Sequence, residues 1–302
     1  MAAQRLFLRT GTAQLTWPPP DDTCSAFCQT DPAPGLRDSI AKLRWGHEWI
    51  APQTPVEERI VPDGAIHLLF VLPRGGTGRP YALVLGAKSE PTVVRLAGHI
   101  EHLEIELRPG AVPALLGAPA GAFSGREVAL ADVWGKQTAT LQDRLRETRQ
   151  AAQRLAIVQD TLAGVLAERP AACPPVVGEA LRRIGGAGGN LRVGALAAGL
   201  GLSDRRLEQL FYAHVGLSPK ATCRMARLRA SLEILARSSR PTWTEIALQN
   251  GYFDQAHLVN EFKAMTGLAP SELHRRAGFG FLQDGDRGNG YLARKRPRRN
   301  RS

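Results

Sequence analysis

The chain is poor in cysteine and aromatic residues, and it has no long apolar run. Four cysteines in 302 residues (Cys24, Cys28, Cys173 and Cys223) are too few and too scattered for a disulfide scaffold. Cys24 and Cys28 lie four positions apart, a spacing some metal sites use, but no second pair completes a tetrahedral set. Ordinary thiols in a reducing compartment are the expectation. No apolar stretch approaches the ~20 residues that span a bilayer. Met1 to Pro20 has neither the long apolar core nor the small-residue cleavage site of a secretory signal. A cytoplasmic, nucleoid-associated protein without a membrane partner is therefore expected. No G-x-S-x-G elbow, P-loop or dinucleotide fingerprint occurs, so no catalytic residue and no cofactor is assigned.

Acidic excess is also missing, and only from one half. Up to Val176 the chain carries 18 basic and 18 acidic residues, whereas from Val177 onward it carries 21 basic and 10 acidic ones. The whole net charge of +11 thus lies in the C-terminal part, which points to a polyanionic partner for that part alone.

Residues 1–35 are rich in Pro, Thr and Asp, including Pro18, Pro19 and Pro20, and read as an irregular leader. Strand signals follow. Arg59-Ile60-Val61 leads into Pro62-Asp63-Gly64, a turn tripeptide, and Ile66 to Leu72 is a short apolar run suited to a buried strand. Tyr81 to Leu85, Thr92 to Leu96 and His102 to Arg108 are further strands. In the last, Leu103, Ile105 and Leu107 alternate with Glu104, Glu106 and Arg108. Helical patterns take over from Ala111, and Arg169 to Pro175, with three prolines, marks a boundary. The predicted fold is α+β: a small β-rich domain with following helices over 36–170, then an all-helical domain over 177–278. Residues 279–302 form a basic, disordered tail ending in Arg294-Lys295-Arg296-Pro297-Arg298-Arg299.

An internal repeat carries the function. Leu196-Ala197-Ala198-Gly199-Leu200-Gly201 matches Ile246-Ala247-Leu248-Gln249-Asn250-Gly251, each with a Gly four residues after a small helical Ala. Leu207/Leu258, Phe211/Phe262, Gly216/Gly267 and Pro219/Pro270 are each 51 apart. This is the helix-turn-helix pattern twice: Ala lets two helices cross closely, and Gly reverses the chain in a short turn. Ser203 and Asp254 are the expected N-caps of the second helices, and Thr242 with Glu245 has capping-box spacing. Between the motifs, Pro219 opens a helix of about 18 residues with Met225, Leu228, Leu232 and Leu235 on one stripe. Such a rod is about 27 Å long. With a unit at each end, two readers would reach major grooves about one turn, or roughly 34 Å, apart.

The expected DNA-contacting residues are Arg205, Arg206, Glu208 and Gln209 on the first reader, and Gln255, Ala256, His257 and Asn260 on the second. Lys220, Arg224, Arg227 and Lys263 stand beside them, with Arg224 and Arg227 directed to phosphates. Arg can read guanine, Gln and Asn adenine, and Glu cytosine, whereas Ala256 offers only apolar contact.

Residues 180–276 resemble the DNA-binding domain of the AraC/XylS family of bacterial regulators. The likeness rests on Leu202-Ser203, Leu207, Phe211, Val215 to Lys220, Arg224 and Arg227, Ile246-Ala247, Gly251-Tyr252, Asp254-Gln255, His257, Phe262-Lys263, Thr266-Gly267-Leu268 and Pro270. The resemblance implies seven helices, direct control of promoter activity, and base contacts from Arg205, Glu208, Gln209, Gln255, His257 and Asn260. Val61 to Gly64, Leu107 to Gly110 and Ala114 to Gly117 are similar to marks of the β-rich, in some relatives cupin-like, sensor domains of one branch.

The expected function is sequence-specific transcription regulation, such as activation, on double-stranded promoter DNA. RNA polymerase, a small-molecule effector and a second copy of the chain are further candidate partners. Trp45, Trp49 and Tyr81 are candidates to line an effector pocket, though aromatic core residues are commoner. His67, His99 and His102 do not form a metal set, because residues three apart on a strand face opposite ways. Two rivals remain. One is an enzyme or DNA-repair protein with a fused DNA-binding module, which would need Cys24, with Cys28 its near neighbour, as a reactive thiol. The other is a DNA-binding protein without sequence preference.

Overall fold

The computed structural model describes residues 3–8, 25–72, 80–148, 150–169, 173–237 and 242–277. The mixed α+β architecture is the expected one, with a β-sheet domain followed by helices. The basic tail, the Pro18–Pro20 run and Cys24 lie outside the described residues.

Six strands form the main sheet: β2 (Ser25–Thr30), β3 (Ile40–Ile50), β8 (Gly98–Leu107), β5 (Ile66–Val71), β6 (Tyr81–Leu85) and β9 (Glu127–Ala129), in that spatial order and all antiparallel. A second sheet has β4 (Val56–Val61) between β1 (Ala3–Leu8) and β7 (Thr92–Leu96). β1 lies parallel to β4. The expectation of an irregular leader over 1–35 is thus corrected, since β1 and β2 fall inside it. Neither segment alternates polar and apolar residues over a full strand. Their extended form follows from pairing with β4 and β3, which local sequence does not reveal.

One face of the main sheet is apolar. Leu43, Trp45, Leu68, Phe70, Val84, Leu103 and Ile105 are buried there with side chains of α1 (Ala111–Leu116), α2 (Leu130–Trp134), α3 (Lys136–Glu147) and α4 (Ala151–Glu168). Arg154 of α4 is buried at this layer. Its Nε donates to the Leu145 and Thr148 carbonyls at 3.1 and 2.7 Å, closing the end of α3, while Nη1 pairs with Glu101. Glu101 also accepts from the Trp45 indole at 3.1 Å.

The alternation along β8 holds, but its polar face is not a solvent face. Glu104 is buried there and pairs with buried Arg44 at 3.4 Å, and Glu106 pairs with the same guanidinium at 2.8 Å. His67 lies 3.1 Å from Asp63 and 3.4 Å from Glu104. Buried charges need such partners because the loss of hydration otherwise outweighs burial.

Among the described residues, seven helices follow. α5 (Pro175–Gly186), α6 (Val193–Gly199) and α7 (Asp204–His214) share one core of Val177, Ile184, Leu196, Ala197, Leu207, Leu210 and Phe211. α9 (Trp243–Gln249), α10 (Gln255–Thr266) and α11 (Pro270–Ala277) share another, containing Ile246, Tyr252, Leu258, Phe262 and Leu273. The rod between them is α8 (Pro219–Arg237). Its stripe of Met225, Leu228, Leu232 and Leu235 belongs to the second core, while Cys223, two residues before the stripe and on the other side of the helix, belongs to the first. Among the described residues no helix is long and apolar enough to cross a membrane.

The β-rich part docks directly on the helices. Val61 enters the second helical core. The turn after β4 brings Gly64 against Leu217 and Met225, and Ile66 packs on Gly216. The Gly110 N–H donates to the His214 carbonyl at 2.9 Å, and the Ser124 hydroxyl donates to the Gly216 carbonyl.

Candidate nucleic-acid interface

Each helix-turn-helix begins with a small residue at a crossing and a cap at the head of the reader. Ala197 and Ala247 are fully buried where α6 meets α7 and α9 meets α10. Ser203 accepts from the Arg206 N–H at 3.2 Å and Asp254 from the His257 N–H at 2.7 Å, so both readers are capped as their sequences indicate. Thr242 does precede α9, but its side chain makes no cap hydrogen bond; the capping box expected with Glu245 does not form.

With Leu207, Leu210 and Phe211 turned inward, Arg205, Arg206, Glu208 and Gln209 stand exposed on α7. Lys220, on the first turn of α8, is exposed as well. Arg206 Nη1 lies 3.4 Å from the Gln209 amide oxygen, a contact either side chain can exchange for a base edge. On α10, with Leu258 and Phe262 buried, Gln255, Ala256, Asn260 and Lys263 are exposed. Gln255 accepts from the Thr244 hydroxyl at 3.3 Å.

His257, Arg224 and Arg227 are held differently. The His257 ring accepts from the Phe253 N–H through Nδ1 at 3.2 Å and packs edge-on against Tyr252. Arg224 Nε donates to Glu261 at 2.8 Å, and Arg227 Nη2 donates to the same carboxylate at 3.2 Å. The Arg227 guanidinium also lies over the Tyr252 ring, 5.4 Å from its centre. Burial pushes the Tyr252 phenol up to about 12, with the neighbouring Glu261 charge adding to the rise and Ser231, Arg227 and Arg224 opposing it. Elsewhere, burial pulls the His214 imidazole down and pushes the Cys223 thiol up.

Two residues near the readers escaped the sequence reading. Glu261 is the only acidic residue between Gln255 and Thr266, a signal that could have drawn attention to it. Phe253 is 88% exposed at the head of α10, where apolar contact with thymine methyls is chemistry it can offer.

The aromatic set named as pocket-lining does not converge. Paired registers put Trp45 and Trp49 on the helix-packed face and Tyr81 on the opposite one. Trp45 is buried and engaged by Glu101, while Trp49 packs at a tilt against His99, their ring centres 4.3 Å apart. His102 faces away from His99, beneath Gly46. Cys28 is buried, and that burial raises its pKa.

Residues 196–276 match a helix-turn-helix domain family, and residues 29–129 match a domain of unknown function, DUF6597. Over 84 residues the chain is 37% identical to the HTH-type transcriptional regulator GlxA of Rhizobium meliloti (strain 1021), a match covering 28% of this chain and 26% of that protein. The chain thus spans about a quarter of the length of this curated relative. Among solved structures it is similar to an AraC-type regulator from Chromobacterium violaceum (24% identity, TM-score 0.31, 35% of this chain and 94% of that one). It is also similar to the C-terminal domain of AraT from Geobacillus stearothermophilus (25%, TM-score 0.32, 34% and 86%). ToxT from Vibrio cholerae aligns over more of the chain (11%, TM-score 0.38, 83% and 97%).

Proposed function

We propose that this chain, which matches a helix-turn-helix domain family over residues 196–276, is an AraC-type DNA-binding transcription regulator that reads a bipartite promoter site with both helix-turn-helix units of one molecule. The reading rests on one observation. Two capped helices, α7 and α10, keep their predicted reading residues largely in solvent while Leu207, Leu210, Phe211, Leu258 and Phe262 are turned inward. Arg205, Arg206, Glu208 and Gln209 would read one half-site, and Gln255, Ala256, His257 and Asn260 the other. Lys220 and Lys263 would meet phosphates. Residues 177–278 would form the DNA-binding unit and 36–170 the sensing unit.

Response to a small effector is supported by the docking of the β4–β5 turn on the elbow between α7 and α8, where Gly64 meets Leu217 and Met225. A change inside the β-rich part has a short path to the first reader through that turn. Pairing of two chains and contact with RNA polymerase would complete promoter control in the cytoplasm.

Selection from random-sequence duplexes by the full-length chain, followed by footprinting upstream of its own gene, tests the proposal. A regulator should prefer its site over random DNA by roughly 10³-fold or more at fixed salt. Equal affinity for both would favour a DNA-binding protein without sequence preference. Loss of DNA-dependent function after alkylation of Cys24 and Cys28 would favour the enzyme reading.

A further inference from the structure

We infer that residues Cys223 to Arg227 of α8 form a locked joint that fixes the register between the two reading helices, with Glu261 and Asn190 as its positioning residues. The inference rests on the bipartite reading proposed above and deepens it. A rod alone sets the distance between two readers but not their rotation about its axis. Rotation has to be blocked by contacts off the axis.

Three such contacts surround one turn of α8, two made on the helix itself and one beside it. From the first unit comes the turn between α5 and α6. There Gly189, at φ +75°, lies so close that a Cβ would collide with the Cys223 carbonyl and sit 2.9 Å from the Arg227 backbone nitrogen. Only a residue without a side chain permits this approach. From the second unit comes Glu261, receiving Arg224 and Arg227 together, with Tyr252 beneath Arg227. The third contact bypasses α8 altogether. The Asn190 side chain, one residue beyond Gly189, rests on Gly251 in the turn between α9 and α10, where a Cβ would again collide. The two units and the rod thus make a closed triangle. Swinging either unit about α8 breaks at least one side.

The rod serves both units at the same place, since Cys223 and Ala226 pack on the first core and Met225, on the opposite side of the helix, in the second. The Glu261 side chain is only 12% exposed. A carboxylate so covered is held in place by its two guanidinium partners, with the His257 ring 3.8 Å away, and withdrawing the arginines to DNA would strip it of both guanidiniums. Arg224 and Arg227 therefore act through α10 and not on phosphates, contrary to the sequence expectation for these two residues.

The test uses the full-length chain and the bipartite duplex it selects. Affinity is measured on that duplex and on versions with one or two base pairs inserted between the half-sites, each turning the second half-site by about 34°. The proteins are wild type, Glu261→Gln, Asn190→Ala, Arg227→Gln and the exposed control Glu233→Gln. Insertion should cost wild type and Glu233→Gln roughly ten-fold or more. It should cost Glu261→Gln and Asn190→Ala several-fold less, with binding to the first half-site alone unchanged. Thermal melting checks folding. Should Glu261→Gln fail to fold, Asn190→Ala, an exposed side chain, still decides the matter. An undiminished insertion penalty in folded variants overturns the joint. So does a fall of about one in the salt slope for Arg227→Gln, which would return that residue to the phosphates. If wild type enriches only one half-site, the joint falls and DNA reading stands. If it enriches none, the bipartite reading itself has failed and takes the joint with it.

Discussion

The two helix-turn-helix units are alike in their cores and unlike in what surrounds their readers. Leu207 and Phe211 in the first correspond to Leu258 and Phe262 in the second, and all four are buried. Around α7, however, the cations Arg205, Arg206 and Lys220 stand in solvent, whereas beside α10 Arg224 and Arg227 are drawn to Glu261 and Lys263 stands in solvent. The residue after the turn glycine differs as well, Leu202 in the first unit and Tyr252, stacked under Arg227, in the second. On the proposed reading the duplicated folds divide the labour: the first unit supplies most of the free charge for affinity, and the second ties Arg224 and Arg227 inward for placement.

The sharpest way to break the likeness between the cores is Phe211→Ala set against Phe262→Ala. Each should cost about 3–5 kcal/mol in chemical denaturation, since both rings are enclosed. Unequal losses, with one variant near wild type, would show that only one core is well packed. On the division of labour, Arg205→Ala should lose about 1–3 kcal/mol of binding on the selected site and relax its preference at one base pair. Competition binding against single-base variants measures this, and unchanged preference would mean that α7 is docked differently.

Tyr252 sharpens the difference between the turns. Its phenol sits at about 12 against an ordinary 10. Below pH 10 it is neutral in both folded and unfolded chains, so its contribution is complete there. Between the two values only the unfolded chain releases the proton, and stability falls as pH rises, by up to about 1 kcal/mol per pH unit. Tyr252→Phe should remove that part of the decline in urea titrations at pH 10 to 12, and an unaltered decline would assign it to other groups. The caps should be worth about 1 kcal/mol each, so Ser203→Ala and Asp254→Ala should lower stability by similar amounts. The smallest effect expected is for Lys220→Ala, which should leave site preference intact and reduce the salt slope by about one.

Legibility in the sequence followed the length scale of the forces. Residues three and four apart declare themselves, so the helices around Leu207, Phe211, Leu258 and Phe262, and both caps, could be read directly. Alternation did the same for β8. What depended on distant partners stayed hidden. β1 is a strand because β4 lies beside it. Arg44 and Glu104 look like surface charges until a separation of 60 residues is closed between them. Glu261 was missed for the same reason, since its partners lie 34 and 37 positions away on another helix.

The last turn of α7 is finished by another part of the molecule. Helix ends leave carbonyls in want of donors, and here Gly110 of the β-rich half supplies one to His214, the final residue of α7, while Ser124 supplies another to Gly216 just beyond it. A chain severed in the proline-rich segment after α4 would hand those oxygens back to water. Its first reader would then fray from the far end, with amide protons of the final turn exchanging faster than in the intact protein while those at the Ser203 end kept their protection.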